Sequence, residues 1–225
     1  MVQKHLDRAM LAFLAVTVAM AICSWPAIAR AQNVTEFPIP TPASEPNVIV
    51  AGPDGALWFT ETNANKIGRI TTAGSITEFG IPTSAAHSVY ITAGPDGALW
   101  FTEYNGNKIG RITTSGTITE FSIPTPASGP AGIAAGPDGA LWFTENTANK
   151  IGRITTAGTM TEYAIPTSRS VPVGIAAGSD GALWFAEGIG NKIRRVTTAG
   201  TFTEYVIPTS PGTPIGIAAG PDGAL

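Results

Sequence analysis

Residues 52–61 read GPDGALWFTE, and Gly94–Glu103 and Gly136–Glu145 spell the same ten letters. With Ser and Ala in place of Pro and Thr the stretch recurs at Gly178–Glu187, and it opens once more at Gly220. The motif glycines stand at 52, 94, 136, 178 and 220, each 42 residues after the one before. A fixed period of roughly 20–50 residues marks an array of like supersecondary units and outweighs the local reading of any one segment. The rest of the unit keeps the beat: Thr-Glu-aromatic starts at Thr35, Thr77, Thr119, Thr161 and Thr203, and Asn-Lys-Ile at Asn65, Asn107, Asn149 and Asn191.

Within one unit the segments are short, β-rich and separated by turn residues. Gly132–Ala135 reads as an inner strand of small residues. Gly136-Pro137-Asp138-Gly139 is a hairpin turn, with Pro setting φ, Asp able to bond its own backbone and Gly taking the positive φ. Ala140–Glu145 follows as a strand apolar on both faces, the pattern of a sheet sandwiched between two others. Lys150–Thr155 and Thr159–Ile165 complete four strands, and Pro166 ends the last because it cannot donate to a central ladder. Four strands in 42 residues is one blade of a β-propeller. The expected fold is therefore all-β, and the recurring Trp and Phe read as packing between blades.

The N-terminus differs in kind. Lys4 and Arg8 precede an apolar run from Ala9 to Trp25, and Ala29-Arg30-Ala31 supplies a small-residue cleavage pattern. Residues 1–31 read as a secretory signal cut before Gln32, which predicts a secreted or periplasmic protein with no membrane attachment after removal. Cys23, the only cysteine, lies in that segment, so residues 32–225 carry no thiol and no disulfide. Those 194 residues make about 4.6 units and hold 10 basic and 15 acidic side chains. A net charge of −5 without a basic stripe argues against a nucleic-acid partner.

The unit resembles the virginiamycin B lyase, or streptogramin lyase, family. The likeness rests on Pro130-Ala131-Gly132-Ile133-Ala134 running into Gly136–Glu145, then Asn149–Ile154 and Thr161-Glu162-Tyr163, and it extends over nearly all of residues 33–225. The resemblance implies a propeller of about seven blades. The chain is then expected to be incomplete at its C-terminus, with Val34–Thr41 matching a fourth strand that would close the ring. The resemblance also implies an elimination that breaks a C–O bond and linearises a cyclic depsipeptide antibiotic, the chemistry of an antibiotic-resistance enzyme. A histidine base and Mg²⁺ held near carboxylates at the mouth of the channel would carry it, both in later blades.

Catalysis or recognition needs an asymmetric constellation, so the informative positions are those that break the beat. His87 is the one histidine after the signal, aligned with Glu45, Gly129, Val171 and Thr213 in a connection before an inner strand. The position directly after the Pro of Pro-x-Gly-Ile, where the resemblance places the base, holds Asn47, Val89, Ala131, Val173 and Ile215, none able to move a proton. Tyr90, Tyr104 and Arg169 also depart from their counterparts. With His87 they form the ligand-binding candidates, and no metal-ligand set and no cofactor site is legible. Arg194, in place of Gly68, Gly110 and Gly152, reads as a surface change. The recurring Glu61, Glu103, Glu145 and Glu187 read as ion-pair partners of the Lys and Arg on the next strand.

These features predict a secreted propeller that binds a small molecule or peptide at its mouth, without lyase chemistry in the blades present. Two alternatives stay open: the front portion of a Mg²⁺-dependent lyase, and a lactonase-like propeller. An open stack of blades also predicts self-association through its uncovered faces.

Overall fold

The computed structural model describes residues 34–209 and 211–225, so the segment read as an export signal and its cleavage point lie outside the described residues. The chain divides into Met1–Phe37 and Pro38–Leu225. Of the first unit only Val34–Phe37 are described, and they form no strand.

The second unit is built from strands alone. Blade one comprises β1 (Pro46–Ala51), β2 (Leu57–Glu61), β3 (Lys66–Ile70) and β4 (Ile76–Gly80). Blade two comprises β5 (Ser88–Ala93), β6 (Leu99–Glu103), β7 (Lys108–Ile112) and β8 (Ile118–Ser122). Blade three comprises β9 (Pro130–Ala135), β10 (Leu141–Glu145), β11 (Lys150–Ile154) and β12 (Met160–Ala164), and blade four β13 (Pro172–Ala177), β14 (Leu183–Glu187), β15 (Lys192–Val196) and β16 (Phe202–Val206). Each sheet is an antiparallel meander in chain order. The bounds in blade three agree with the sequence expectation to within one or two residues. The turn is as read: Gly139 takes φ +72°, its N–H donates to Gly136 O at 3.2 Å, and Gly136 N–H donates to Ala140 O at 2.8 Å.

Period-two alternation along the second strand gives each blade two apolar faces. Leu141 and Phe143 face blade two, packing against Trp100 and Ile109, whereas Trp142 packs toward Leu183 and Phe185 of blade four. Trp58 meets Leu99 and Phe101 in the same way. The aromatic letters of the repeat are therefore inter-blade packing, and each Trp also stacks on an aromatic of its own fourth strand, Trp142 on Tyr163 at 5.5 Å and 10°. At the ends of the array this face is uncovered: Leu57 is 44% exposed and Tyr205 46%, while Leu99, Leu141 and Leu183 are fully buried.

The first and second strands of every blade pair with a skipped register, Ile133 opposite Phe143 but Pro130 opposite Glu145. In blade three a hydroxyl fills the gap. Thr144 Oγ1 accepts from Gly132 N–H at 2.9 Å and donates to Val173 O of blade four at 2.8 Å. Thr60 joins Val48 N–H to Val89 O likewise. Blade four has Ala186 there, and Gly174 N–H donates directly to Ile215 O of the fifth repeat at 2.9 Å. Val34–Thr41, read as a closing fourth strand, forms no strand in the structure described.

Candidate functional site

One end of the array is built from the turns between second and third strands and the connections that lead from one blade to the next. Asparagines hold it in shape. Asn107, in the left-handed region at φ +54°, donates from Nδ2 to Ile123 O and Thr125 O and accepts at Oδ1 from Ser128 N–H. Asn65 and Asn149 repeat the arrangement, which explains why an Asn recurs every 42 residues.

His87 is exposed on this end with φ +54°. Its carbonyl accepts from Tyr104 N–H at 3.3 Å, and its ring meets the Tyr104 ring edge-on with centroids 6.1 Å apart. Tyr104 reaches on to blade three, where its hydroxyl lies 3.4 Å from Thr147 Oγ1. Gly129, the counterpart of His87 in blade three, makes that crossing possible, because a Cβ there would come within 2.5 Å of Thr147 Oγ1 and 3.2 Å of the Tyr104 ring. Thr62 and Asn146, which occupy the position of Tyr104 in blades one and three, instead donate to Ser88 O and Pro172 O of the following blade. The substitution by Tyr thus exchanges a short bond to the next blade's backbone for a half-buried ring that reaches that blade's Thr147 hydroxyl. Thr147 was not legible as a partner, since it resembles any loop residue until the fold brings it under Tyr104.

Of the other two candidates, Tyr90 turns inward from this surface, whereas Arg169 lies in a further connection of the same end. Tyr90 is half-buried and packs into the cluster of Trp100 and Ile133, and burial raises its phenol above the usual range. Arg169 is exposed at φ +55° in the connection to blade four and makes no ion pair among the described residues.

Two sequence expectations about charge are corrected. Arg194 is 3% exposed: Nε donates to Glu187 Oε1 at 2.5 Å, and the same guanidinium bonds Glu204 and Thr167. A Cβ at Gly110 or Gly152 would lie about 2.1 Å from the ring of Phe101 or Phe143, so Arg194 needs Phe185 to stand elsewhere, and Phe185 meets Phe202 edge-on at 87°. Of the glutamates ending the second strands, Glu187 pairs with a cation of the next strand, Arg194, as expected, but the other three do not. Glu61, Glu103 and Glu145 are fully buried with no hydrogen-bond partner on either oxygen. Lys66, Lys108 and Lys150 bind Glu78, Glu120 and Glu162 of the fourth strands instead, and Arg69, Arg111 and Arg153 bind the turn aspartates Asp54, Asp96 and Asp138. Sequence could not separate these pairings, because Lys and Arg alternate faces along one strand.

The sequence profile of the virginiamycin B lyase family matches residues 20–225. The chain belongs to that family. A virginiamycin B lyase of Saccharopolyspora erythraea is 46% identical over 45 residues, 20% of this chain and 15% of the relative. The crystal structure of virginiamycin B lyase from Staphylococcus aureus matches with 52% identity and a TM-score of 0.82, over 84% of this chain and 64% of that one. A catalytically inactive His-to-Ala form of the Staphylococcus aureus enzyme with quinupristin matches with 50% identity and a TM-score of 0.82, over 85% of this chain and 66% of that one. The chain thus spans just under two thirds of the solved enzymes it resembles. Among the described residues no group of three or more His, Cys, Asp or Glu is placed to hold a metal. His87 stands beside a phenol and a hydroxyl, so the surface it shares with Tyr104 does not offer the carboxylate oxygens that the Mg²⁺ implied by the family likeness would need.

Proposed function

We propose that this chain is part of an exported propeller that binds a small-molecule or peptide ligand at the end carrying His87 and Tyr104, and that the blades described carry no lyase chemistry of their own. The observation that carries the reading is the meeting of His87, Tyr104 and Thr147 across two blades, at positions where the repeat breaks. The open part of a half-buried Tyr ring offers apolar contact together with a hydrogen-bonding tip, a combination suited to cyclic peptide or aromatic ligands. The residues in the base position, Asn47 to Ile215, support binding without proton transfer. Export is supported by the Lys4 and Arg8 flank, the apolar run and the cleavage pattern.

Quinupristin is the probe. Calorimetry is expected to show binding that weakens about fivefold or more in Tyr104→Ala and in His87→Ala, in line with the ~1 kcal/mol of one aromatic contact. Mass spectrometry and chromatography are expected to recover the ring intact. Equal affinity in wild type and both variants would remove the proposed site.

A second reading is favoured by the 52% identity to the Staphylococcus aureus enzyme. In it the chain is the front of a lyase, and blades further along supply the histidine and the carboxylates for Mg²⁺. A protein of the relatives' full length, incubated with Mg²⁺ and quinupristin, would then give a linear product of unchanged mass. Elimination conserves the atoms of the ring, whereas hydrolysis would add one water.

A further inference from the structure

The unpartnered carboxyl groups of the second strands do not belong to the mouth surface, but they lie directly beneath it. Glu103 ends β6, immediately before Tyr104, and both its oxygens are buried without a partner. The groups that face it are few. Ser88, opposite on β5, is itself buried with an unpaired hydroxyl. Lys108, opposite on β7, directs its ammonium to Glu120 and to Thr83 Oγ1, both at 2.7 Å. Glu120 on β8 also accepts from Thr83 N–H at 2.9 Å, and so fastens the connection that carries His87. One half-buried cation therefore serves two glutamates, of which Glu103 is fully buried and Glu120 half-buried.

Blade four shows what this arrangement requires. There Arg194 inserts its guanidinium between the equivalent pair, Glu187 and Glu204, and also reaches Thr167, the counterpart of Thr83. Blades one to three have glycine at that position and no second cation. A fully buried carboxyl beside a second, half-buried carboxylate that already holds the one lysine is disfavoured in its charged form without such a partner. We propose that in blades one to three each pair, Glu61 with Glu78, Glu103 with Glu120 and Glu145 with Glu162, retains one proton at neutral pH, and that the proton on Glu103 keeps the Thr83–His87 connection fastened. The device is a pH-sensitive latch under the mouth, and it stands whether or not that mouth binds a peptide. Charge balance agrees with the geometry: burial first, then the charge of Glu120, pushes Glu103 up to about 7, and burial with Glu162 pushes Glu145 up to about 8. The same causes raise Glu61. On loss of the proton the second negative charge needs hydration, and the segment that excludes water from it is the connection at Thr83.

The test combines carboxyl NMR of the chain labelled in its glutamate side chains with amide exchange of residues 83–87. Carboxyl signals are expected to titrate above pH 6, with one lost in Glu103→Gln and another in Glu145→Gln. Exchange across residues 83–87 is expected to accelerate beyond its intrinsic pH dependence by up to about tenfold per pH unit near neutrality, and to lose that excess in Glu103→Gln. The proposal is overturned if every glutamate titrates below pH 5, or if Glu103→Gln keeps the wild-type exchange profile. A Glu103→Gln chain that fails to fold would also overturn it, since a neutral isostere must be tolerated where a neutral carboxyl stands.

Discussion

Arg194 and Glu187 form a buried ion pair inside blade four, closed at 2.5 Å, at a position where the other blades place glycine against a phenylalanine ring. Removing one partner of such a pair leaves a charge without compensation and costs about 3–5 kcal/mol. Arg194→Gly is therefore expected to destabilise the array by that order in urea unfolding. A loss below about 1 kcal/mol would mean that the pair contributes no more than an exposed one.

The other glutamates set the pH profile of stability. Glu103 and Glu145 have folded-state values of about 7 and about 8, above the ~4.3 of an unfolded glutamate. The folded chain then binds more protons than the unfolded one between ~4.3 and these values, so stability falls as pH rises through that window. Glu78 behaves oppositely: burial would raise it, but bonds from Lys66 and Thr41 outweigh burial and hold it at about 2. Its contribution is present above ~4.3 and is lost as pH falls toward 2. Melting temperature is expected to peak near pH 5 and decline on both sides. The double change Glu103→Gln and Glu145→Gln should flatten the alkaline limb and leave the acid limb in place.

Thr144 can be separated from its neighbours by an isosteric change. Thr144→Val keeps the volume but strips Gly132 N–H of its acceptor and Val173 O of its donor. An unsatisfied buried amide of this kind costs about 1–3 kcal/mol. Blade four avoids the cost through the direct bond from Gly174 to Ile215, and that close approach depends on glycine, since a Cβ at Gly174 would lie 2.7 Å from Ile215 O. Chemical denaturation of Thr144→Val against wild type measures the difference.

Gly132 and Gly80 give a contrast within the strands. A Cβ at Gly132 would come within 2.3 Å of Val173 O, backbone that cannot rotate away, whereas nothing lies within 4 Å of a Cβ at Gly80. Gly132→Ala is expected to cost about 1–3 kcal/mol by overpacking. Gly80→Ala should be neutral or stabilising by about 0.5–1 kcal/mol, since alanine loses less backbone freedom in a strand. Similar effects at both positions would show that the inner strands of blades three and four are not in close contact.

The blade was legible because repetition averages over the accidents of any one copy. The turn at Gly136–Gly139, the two-faced Leu141-Trp142-Phe143 strand and the end at Pro166 each had one physical reading, and four copies agreed on it. The charged network was not legible for a geometric reason. Lys150 and Arg153 stand three apart on one strand and so point to opposite faces, one toward Glu162 and the other toward Asp138. Arg194 looked like a surface change because nothing in a single sequence shows that Gly152 lies under a ring. At the mouth, His87 and Tyr104 broke the pattern visibly, but Tyr90 broke it just as visibly and turned into the inter-blade core. A departure from the repeat marks a changed environment, and only the fold distinguishes a cavity filled from a surface altered.

The turn aspartates allow a graded test of burial. Asp138 Oδ1 accepts from Trp142 Nε1–H at 3.0 Å and Oδ2 from Arg153 Nε at 2.7 Å, while the guanidinium carbon lies 6.0 Å from the indole centroid. Burial alone would raise Asp138, but the bonds from Trp142 and Arg153 outweigh it and hold the carboxyl below the usual range. Asp180 makes the same contacts in blade four, where Trp184 is only half-buried among the described residues. Asp138→Ala strands an indole N–H that is out of water and is expected to cost about 1–3 kcal/mol. Asp180→Ala leaves an N–H that water can satisfy, and its cost should be the smaller of the two. Urea midpoints of the two variants measure the ratio, and equal losses would show that the turn geometry held by Asp, rather than the indole hydrogen bond, is what the repeat preserves.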